Sequence, residues 1–401
     1  MHNWAKFLGG ILLVAGTTIG AAMLALPVSA GVAGFIPSLV LFICFWLYMT
    51  YTALLFLEVN TWSGQRTNLL TMAKMTLGRP GEAISWTAYL FLLYSLLTAY
   101  IAGSSAIISD LLTSTFNIPP LGAWCGIPLV LLLAYLLLRG TAHVDYWNRF
   151  LMIGLAVSYS AMLIMLSPYV ETEKLIRSDW PTAFSVVSVV ATAYGFHIII
   201  PSLYSYMHGD IKILKWTLLI GSFIPLVIYA LWQMIALGII PFEGANGLLQ
   251  GYQKGANGAT LLANAINTPV LSLIAQLFSF FAIVTSFIGV ALALCDFLAD
   301  GFKLQRTHTN NLMLVCLVFI PPFLIAITYA RAFLTALEIS GAYGVVFLLG
   351  LMPALMVWRG RYIQKRFEGY AAPGGKITLI AAMLFSFLVI GLEIAKSLSL
   401  L

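Results

Sequence analysis

FLGGILLVAGTTIGAAMLALP, residues 7–27, decides the fold. The run carries no charge and matches the roughly 20 apolar residues an α-helix needs to cross a bilayer. Its centre works against a continuous helix. Gly16 and Gly20 bracket Thr17, Thr18 and Ile19. Glycine costs a helix interior about 1 kcal/mol relative to alanine, and β-branched residues are also weaker helix formers. Pro27 follows near the far end. A simple kink is the alternative to a true interruption, since glycine and proline are common in membrane helices. Lys6 ahead of the run raises the possibility of a cleaved signal peptide. The run is long and lacks a convincing cleavage site, so it is kept in the mature protein.

Outward from this stretch the composition agrees. Of 401 residues, 61% are hydrophobic and 8% charged, against about 25% charged in soluble domains. The apolar runs predict eleven spans: 6–29, 34–58, 83–113, 124–139, 146–167, 184–206, 212–240, 269–299, 311–329, 332–357 and 376–397. Lipid leaves backbone polar groups no partner, so these runs read as helices and the class is an all-α polytopic membrane protein. No water-soluble domain or low-complexity tail is visible. The longest connection, about 241–268, repeats Gly-Ala-Asn-Gly at Gly244 and Gly255. It reads either as a lid or as a plain polar loop.

The formal charge of +6 does not point to nucleic acid, because the basic residues sit in short loops. With the N-terminus inside, the inner segments hold Lys6, Arg66, Lys74, Arg79, Arg139, Arg149, Lys212, Lys215, Lys303, Arg306, Arg359, Arg361, Lys365, Arg366 and Lys376. The outer ones hold Lys174, Arg177, Lys254, Arg331 and Lys396. This three-to-one bias predicts a cytoplasmic N-terminus and an external C-terminus in a cell (inner) membrane. Cys44, Cys125, Cys295 and Cys316 show no metal-ligand spacing and read as small apolar residues.

A second stretch mirrors the first. Tyr194-Gly195-Phe196-His197 is followed by Ile198, Ile199, Ile200 and Pro201. Proline removes a backbone donor and crowds the preceding turn. The two weak points fall in spans 1 and 6, five spans apart, so the second set would be inserted upside down relative to the first. Interrupted helices at matched positions of two halves point to a transporter site at the membrane midplane. Exposed N–H groups at a half-helix start attract a carboxylate, and carbonyl ends attract an ammonium or a metal cation. A zwitterionic amino acid supplies both charges.

The same residues resemble a known family. Gly16 through Pro27 is similar to the first-helix motif of the hydroxy/aromatic amino acid permeases, within the amino acid/polyamine/organocation superfamily. Tyr51-Thr-Ala-Leu-Leu with Leu57-Glu58-Val59 resembles the end of their second helix. Gly195-Phe-His, Pro201-Ser202 and Ser205-Tyr-Met207 resemble the sixth. Gly221-Ser222, Ile224-Pro-Leu226 and Trp232-Gln233 resemble the seventh, and Thr285-Ser-Phe-Ile-Gly-Val290 with Asp296-Phe-Leu-Ala-Asp300 the eighth. The likeness covers nearly the whole chain. It implies a LeuT-like fold: a five-helix repeat over 1–167, an inverted one over 184–357, an added eleventh helix over 376–397, and helices 1 and 6 broken at mid-membrane. It also implies cation-coupled uptake of an aromatic amino acid, tyrosine or tryptophan, by a symporter. Hydroxy amino acids such as serine or threonine are the alternative substrates.

On this reading Ala15, Thr17, Thr18, Gly20 and Ala21 line the first interruption, and Tyr194, Gly195, Phe196 and His197 the second. Tyr94, Thr98 and Tyr100 offer hydroxyls at or near one face of span 3, one of which would meet the substrate carboxylate. The resemblance places a sodium ion among the carbonyls of Ala15, Thr18 and Ala282 and the hydroxyls of Thr285 and Ser286. Proton-coupled relatives of the fold set a Lys from helix 5 there. This chain has about Leu155 instead, which leans toward sodium. His197 and Glu338 keep a proton open as the coupling ion. Glu58, Asp296 and Asp300 lie near inner span ends and read as solvated or gating charges. No other cofactor is expected, and the oligomeric state is not readable. A channel would show a charged ring or filter repeat. An intramembrane enzyme would show a motif such as His-Glu-x-x-His or Gly-x-Ser-x-Gly. Neither is present, so the chain is not expected to be an enzyme.

Overall fold

The computed structural model describes residues 2–64, 67–116, 122–139, 141–266, 268–305, 307–329, 331–366 and 369–398. Arg66 and Arg306 of the charge count lie outside them. Every regular element among the described residues is helical. The first span is a bent pair. Helix α1 (His2–Thr18) and α2 (Ala22–Ser29) are separated by residues 19–21, and the pair turns through 53°. Helices α3 (Phe35–Ser63), α4 (Leu69–Phe116), α5 (Ile127–Arg139) and α6 (Thr141–Leu166) follow. The next span is assembled from α7 (Trp180–Ser185), α8 (Val187–Thr192) and α9 (Ile200–Tyr206), with the backbone leaving the α-helix over 193–199.

Helix α10 (Ile211–Ile239) leads into the long connection, which carries α11 (Leu248–Lys254) and α12 (Gly258–Ile266). Helices α13 (Pro269–Gly301) and α14 (His308–Thr328) come next. The tenth span runs from α15 (Ala332–Ile339) through a π-helical stretch, Ser340–Leu351, into α16 (Met352–Trp358), and α17 (Lys376–Ser397) completes the order. Among the described residues ten helices are long and apolar enough to cross a membrane, or eleven with the bent pair counted as one. The chain is a multi-pass helical membrane protein.

Three differences from the sequence reading have local causes. Helix α4 begins at Leu69 rather than at 83, but the Gly78 backbone (φ 79°) breaks it, so a short helix precedes the span proper. The tenth span continues to Ile363 instead of stopping at 357. The 241–268 connection is mostly helical, and Leu248, Gly251, Leu261 and Leu262 are buried in it.

Side-chain oxygens start several helices. Asp179, Asp210 and Thr307 accept from the backbone N–H groups of Thr182, Ile213 and Asn310, which satisfies donors that a helix start leaves free. Prolines create the opposite need, since each removes the N–H that would reach the carbonyl four residues earlier. Pro27 frees the Met23 carbonyl, and Trp232 Nε1 of α10 donates to it at 2.8 Å. Pro321 frees the Leu317 carbonyl, and the Tyr94 hydroxyl of α4 donates to it at 2.8 Å.

Two buried charge clusters tie the tenth span to its neighbours. Arg361 Nε donates to the Glu58 carboxylate of α3 at 2.7 Å. Arg361 also donates to the Ala372 carbonyl, whose residue in turn gives its N–H to Glu58. Glu58 is thus a buried ion-pair partner, not a solvated charge. At the other end Glu338 pairs with Lys396 of α17 at 2.8 Å.

Candidate functional site

The first interruption is finished by side chains from distant helices. The Ala21 N–H, at the start of α2, donates to the Ser286 hydroxyl of α13 at 2.9 Å. Ser286 sits so close to Gly20 that a Cβ there would collide with its oxygen. A side chain at residue 20 would therefore have to displace the Ser286 hydroxyl that meets Ala21. Ser286 also faces the Tyr100 hydroxyl of α4. On the other side of the interruption, the Thr18 carbonyl accepts from Tyr229 of α10 at 2.7 Å.

The second interruption meets the first through that same hydroxyl. Tyr229 lies 2.8 Å from the Ala193 carbonyl, at the end of α8. A tyrosine hydroxyl has one proton, so it donates to one of these two carbonyls at a time. Tyr194 packs its ring edge-on to Tyr229, with centroids 5.4 Å apart. Its buried hydroxyl has no partner in the structure. Gly195 faces Leu349 and Val345 of the π stretch. Phe196 is buried and lies 5.1 Å from the His197 ring. His197 Nε2 pairs with Thr52 of α3 at 2.9 Å, while Nδ1 has no partner among the described residues.

The expected site residues divide accordingly. Thr18, Gly20, Ala21, Tyr100, Tyr194 and Ser286 converge where Tyr229 joins the interruptions. Ala15 is buried one turn back, and its carbonyl accepts the Ile19 N–H at 2.9 Å. Thr17 is exposed and donates within its own helix to Leu13. Tyr94 caps the Leu317 carbonyl, and Thr98 donates back to Tyr94 within α4. His197 is held against α3, and Glu338 belongs to the cluster with α17.

Thr285 donates to the carbonyls of Phe281 (2.8 Å) and Ala282 (3.2 Å), and Ser286 to Ala282 at 3.0 Å. A hydroxyl that spends its proton on its own helix turns its lone pairs outward, as a ligand for a hard cation must. Leu155 is buried in α6, whose neighbouring Gly154 packs on Phe281 of α13. The position that lacks Lys thus lies in the α6–α13 interface.

Sequence reasoning missed Tyr229 as a site residue. The available signal was its spacing: Tyr229, Trp232 and Gln233 put three polar-tipped side chains on one face of an apolar helix. All three reach across to other elements, Gln233 through Ser38 at 3.0 Å.

Residues 3–393 match the sequence profile of the tryptophan/tyrosine permease family. The chain belongs to this family. Among similar proteins is tyrosine-specific transport system 2 of Haemophilus influenzae, 32% identical over 96% of this chain and 95% of the relative. Tyrosine-specific transport system 1 of the same organism is also 32% identical, over 97% of each. A tryptophan-specific transport protein of Pseudomonas aeruginosa is 29% identical over 95% of this chain and 92% of its own length. The family is one of transport permeases, not enzymes. For this permease there is thus no reaction to assign.

Proposed function

We propose that the chain imports tyrosine together with a cation, by alternating access, across the inner membrane. The observation that carries this reading is the Tyr229 hydroxyl, within hydrogen-bond distance of the Thr18 and Ala193 carbonyls. It sets two interrupted helices side by side, with the Ala21 N–H, bonded to the Ser286 hydroxyl, on one flank and carbonyls on the other. That pairing suits the carboxylate and ammonium of an amino acid. In the proposal residues 1–167 and 184–357 form inverted LeuT-like repeats, α17 is the additional helix, and the N-terminus is cytoplasmic. The substrate carboxylate replaces the Ser286 hydroxyl at Ala21. The aromatic ring takes the space beside Tyr100, Tyr194 and Phe196, where burial yields about 25 cal/mol per Å² of apolar surface. Tyrosine is favoured over tryptophan by the two tyrosine-specific relatives, and serine or threonine would forgo most of that apolar burial.

The proposed coupling ion is sodium, held by the carbonyls of Ala15, Thr18 and Ala282 and the hydroxyls of Thr285 and Ser286. Those ligands are neutral oxygens, suited to a hard cation and without a proton acceptor. Uptake of labelled tyrosine into proteoliposomes tests the proposal. An imposed sodium gradient without a pH gradient is expected to drive accumulation, and Thr285→Val to abolish it. Serine should compete poorly. Accumulation driven by a proton gradient alone would reject sodium and turn attention to His197. Absence of saturable tyrosine counterflow would reject the transport function itself.

A further inference from the structure

A second polar site lies on the side that the proposed topology assigns to the outside. Helices α4 and α13 run antiparallel, and their facing residues match rung for rung. On α4 the stripe is Tyr100, Gly103, Ile107 and Asp110; on α13 it is Ser286, Ile283, Ser279 and Gln276. Both follow three-, four- and three-residue steps, which keeps each stripe on one helix face. The innermost rung sets Tyr100 against Ser286. At the next, Gly103 leaves room for Ile283 and Phe333, which a Cβ would press at about 3.0 Å. The outer two rungs line a cavity of about 60 Å³ with Thr260 and Asn264 of α12.

The chemistry of that cavity is specific. Asp110 and Asn264 stand exposed at its mouth, Thr260 and Gln276 are half-buried, and Ser279 is buried at its floor. Thr260 and Asp110 face each other across it. Ser279 is 1% exposed, and its hydroxyl has no partner among the described residues. A buried hydroxyl in a membrane helix ordinarily bonds its own backbone or a neighbouring helix, as Thr285 and Ser286 do. Its unpartnered state at the floor of a polar cavity marks a place where a ligand supplies the contact. Each lining polar side chain offers an oxygen, and Asp110 brings a single negative charge. The volume suits an ion with a few waters and falls far below the roughly 300 Å³ of small-molecule sites.

We propose that this cavity is an outer binding site for a hard monovalent cation, with Asp110 as the charged ligand and Ser279 as the deepest one. It lies about 15 Å along α4 from Tyr100, at 1.5 Å per residue. The Gly103–Ile283–Phe333 rung separates the two. The site therefore holds a cation outside the central interruptions, one rung of apolar packing away from them. The placement on the outer side rests on the proposed transport topology, but occupancy does not.

Radioactive sodium binding to the purified permease in detergent, without amino acid, tests the site. Wild type is expected to bind saturably, with choline as the inert replacement. Asp110→Asn should weaken one class of sodium sites at least tenfold, and Ser279→Ala should weaken the same class less. Asp110→Glu should retain it. Thr285→Val should remove a different class and leave this one. Unchanged thermal midpoints and tyrosine binding in the Asp110 and Ser279 variants verify folding. Sodium binding equal to wild type in both Asp110→Asn and Ser279→Ala overturns the inference, as does displacement of this class by tyrosine or tyramine, which would assign the pocket to an ammonium group. Loss of sodium in Thr285→Val alone would overturn the outer site and leave the tyrosine carrier standing.

Discussion

Tyr94 and Tyr100 show how two similar hydroxyls on one helix differ in role. Tyr94 repairs the carbonyl that Pro321 leaves bare, whereas Tyr100 faces Ser286 beside the interrupted first span. Tyr94→Phe is expected to lower the thermal midpoint while leaving the tyrosine KM unchanged. Interhelical hydrogen bonds in membranes contribute about 0.6 kcal/mol on average and rarely above about 1.7, so the shift should be small. Tyr100→Phe should raise the KM several-fold with little change in midpoint. Uptake kinetics and scanning fluorimetry on both variants check the pair, and a raised KM in Tyr94→Phe would return that residue to the pocket. Tyr229→Phe should be more damaging than either. It leaves the buried carbonyls of Thr18 and Ala193 without their shared donor, at about 1–3 kcal/mol for an unsatisfied buried group. The expected outcome is a clear fall in midpoint with maximal uptake reduced at least tenfold. Wild-type uptake in that variant would remove the bridging role.

At the scale of the element, proline and its remote donor form a testable unit. Trp232→Phe leaves the Met23 carbonyl unpaired because Pro27 has no N–H to offer it. Pro27→Ala restores that N–H. The double variant should therefore lose less stability than the sum of the singles, a non-additivity of about 1 kcal/mol in a double-mutant cycle. Strict additivity would mean that the indole does not serve that carbonyl. Elements were legible in the sequence because their causes are local. Spans follow from runs of apolar residues, and the backbone leaves the α-helix beside the glycines, threonines and proline whose preferences disfavour it. What was not legible is what arrives from elsewhere. Thr17 and Thr18 are adjacent and chemically alike, yet one is exposed and the other buried, and only the neighbouring helices decide which. Arg361 reads as a loop charge until the fold brings Glu58 to it.

At the scale of the molecule, the Glu58–Arg361 pair joins the second span, the tenth and the connection to the eleventh. Arg361→Met should be strongly destabilising, because removing one member of a buried pair costs about 3–5 kcal/mol. Glu58→Gln with Arg361→Met should recover part of that loss, as measured by the thermal midpoint of the purified protein. Equal loss in single and double variants would show that the Ala372 contacts, not the ion pair, carry the effect. The same pair has a mechanical consequence. The tenth span is clamped near both ends, by Arg361 on Glu58 and by Glu338 on Lys396, and between the clamps lies the π-helical Ser340–Leu351. A rod gripped at two points resists sliding as a whole. Wide turns are where an α-helix has slack to give, because each closes over one residue more than the turns on either side. The wide turns thus sit between two fixed grips, and Val345 and Leu349 within them face Gly195 of the second interruption.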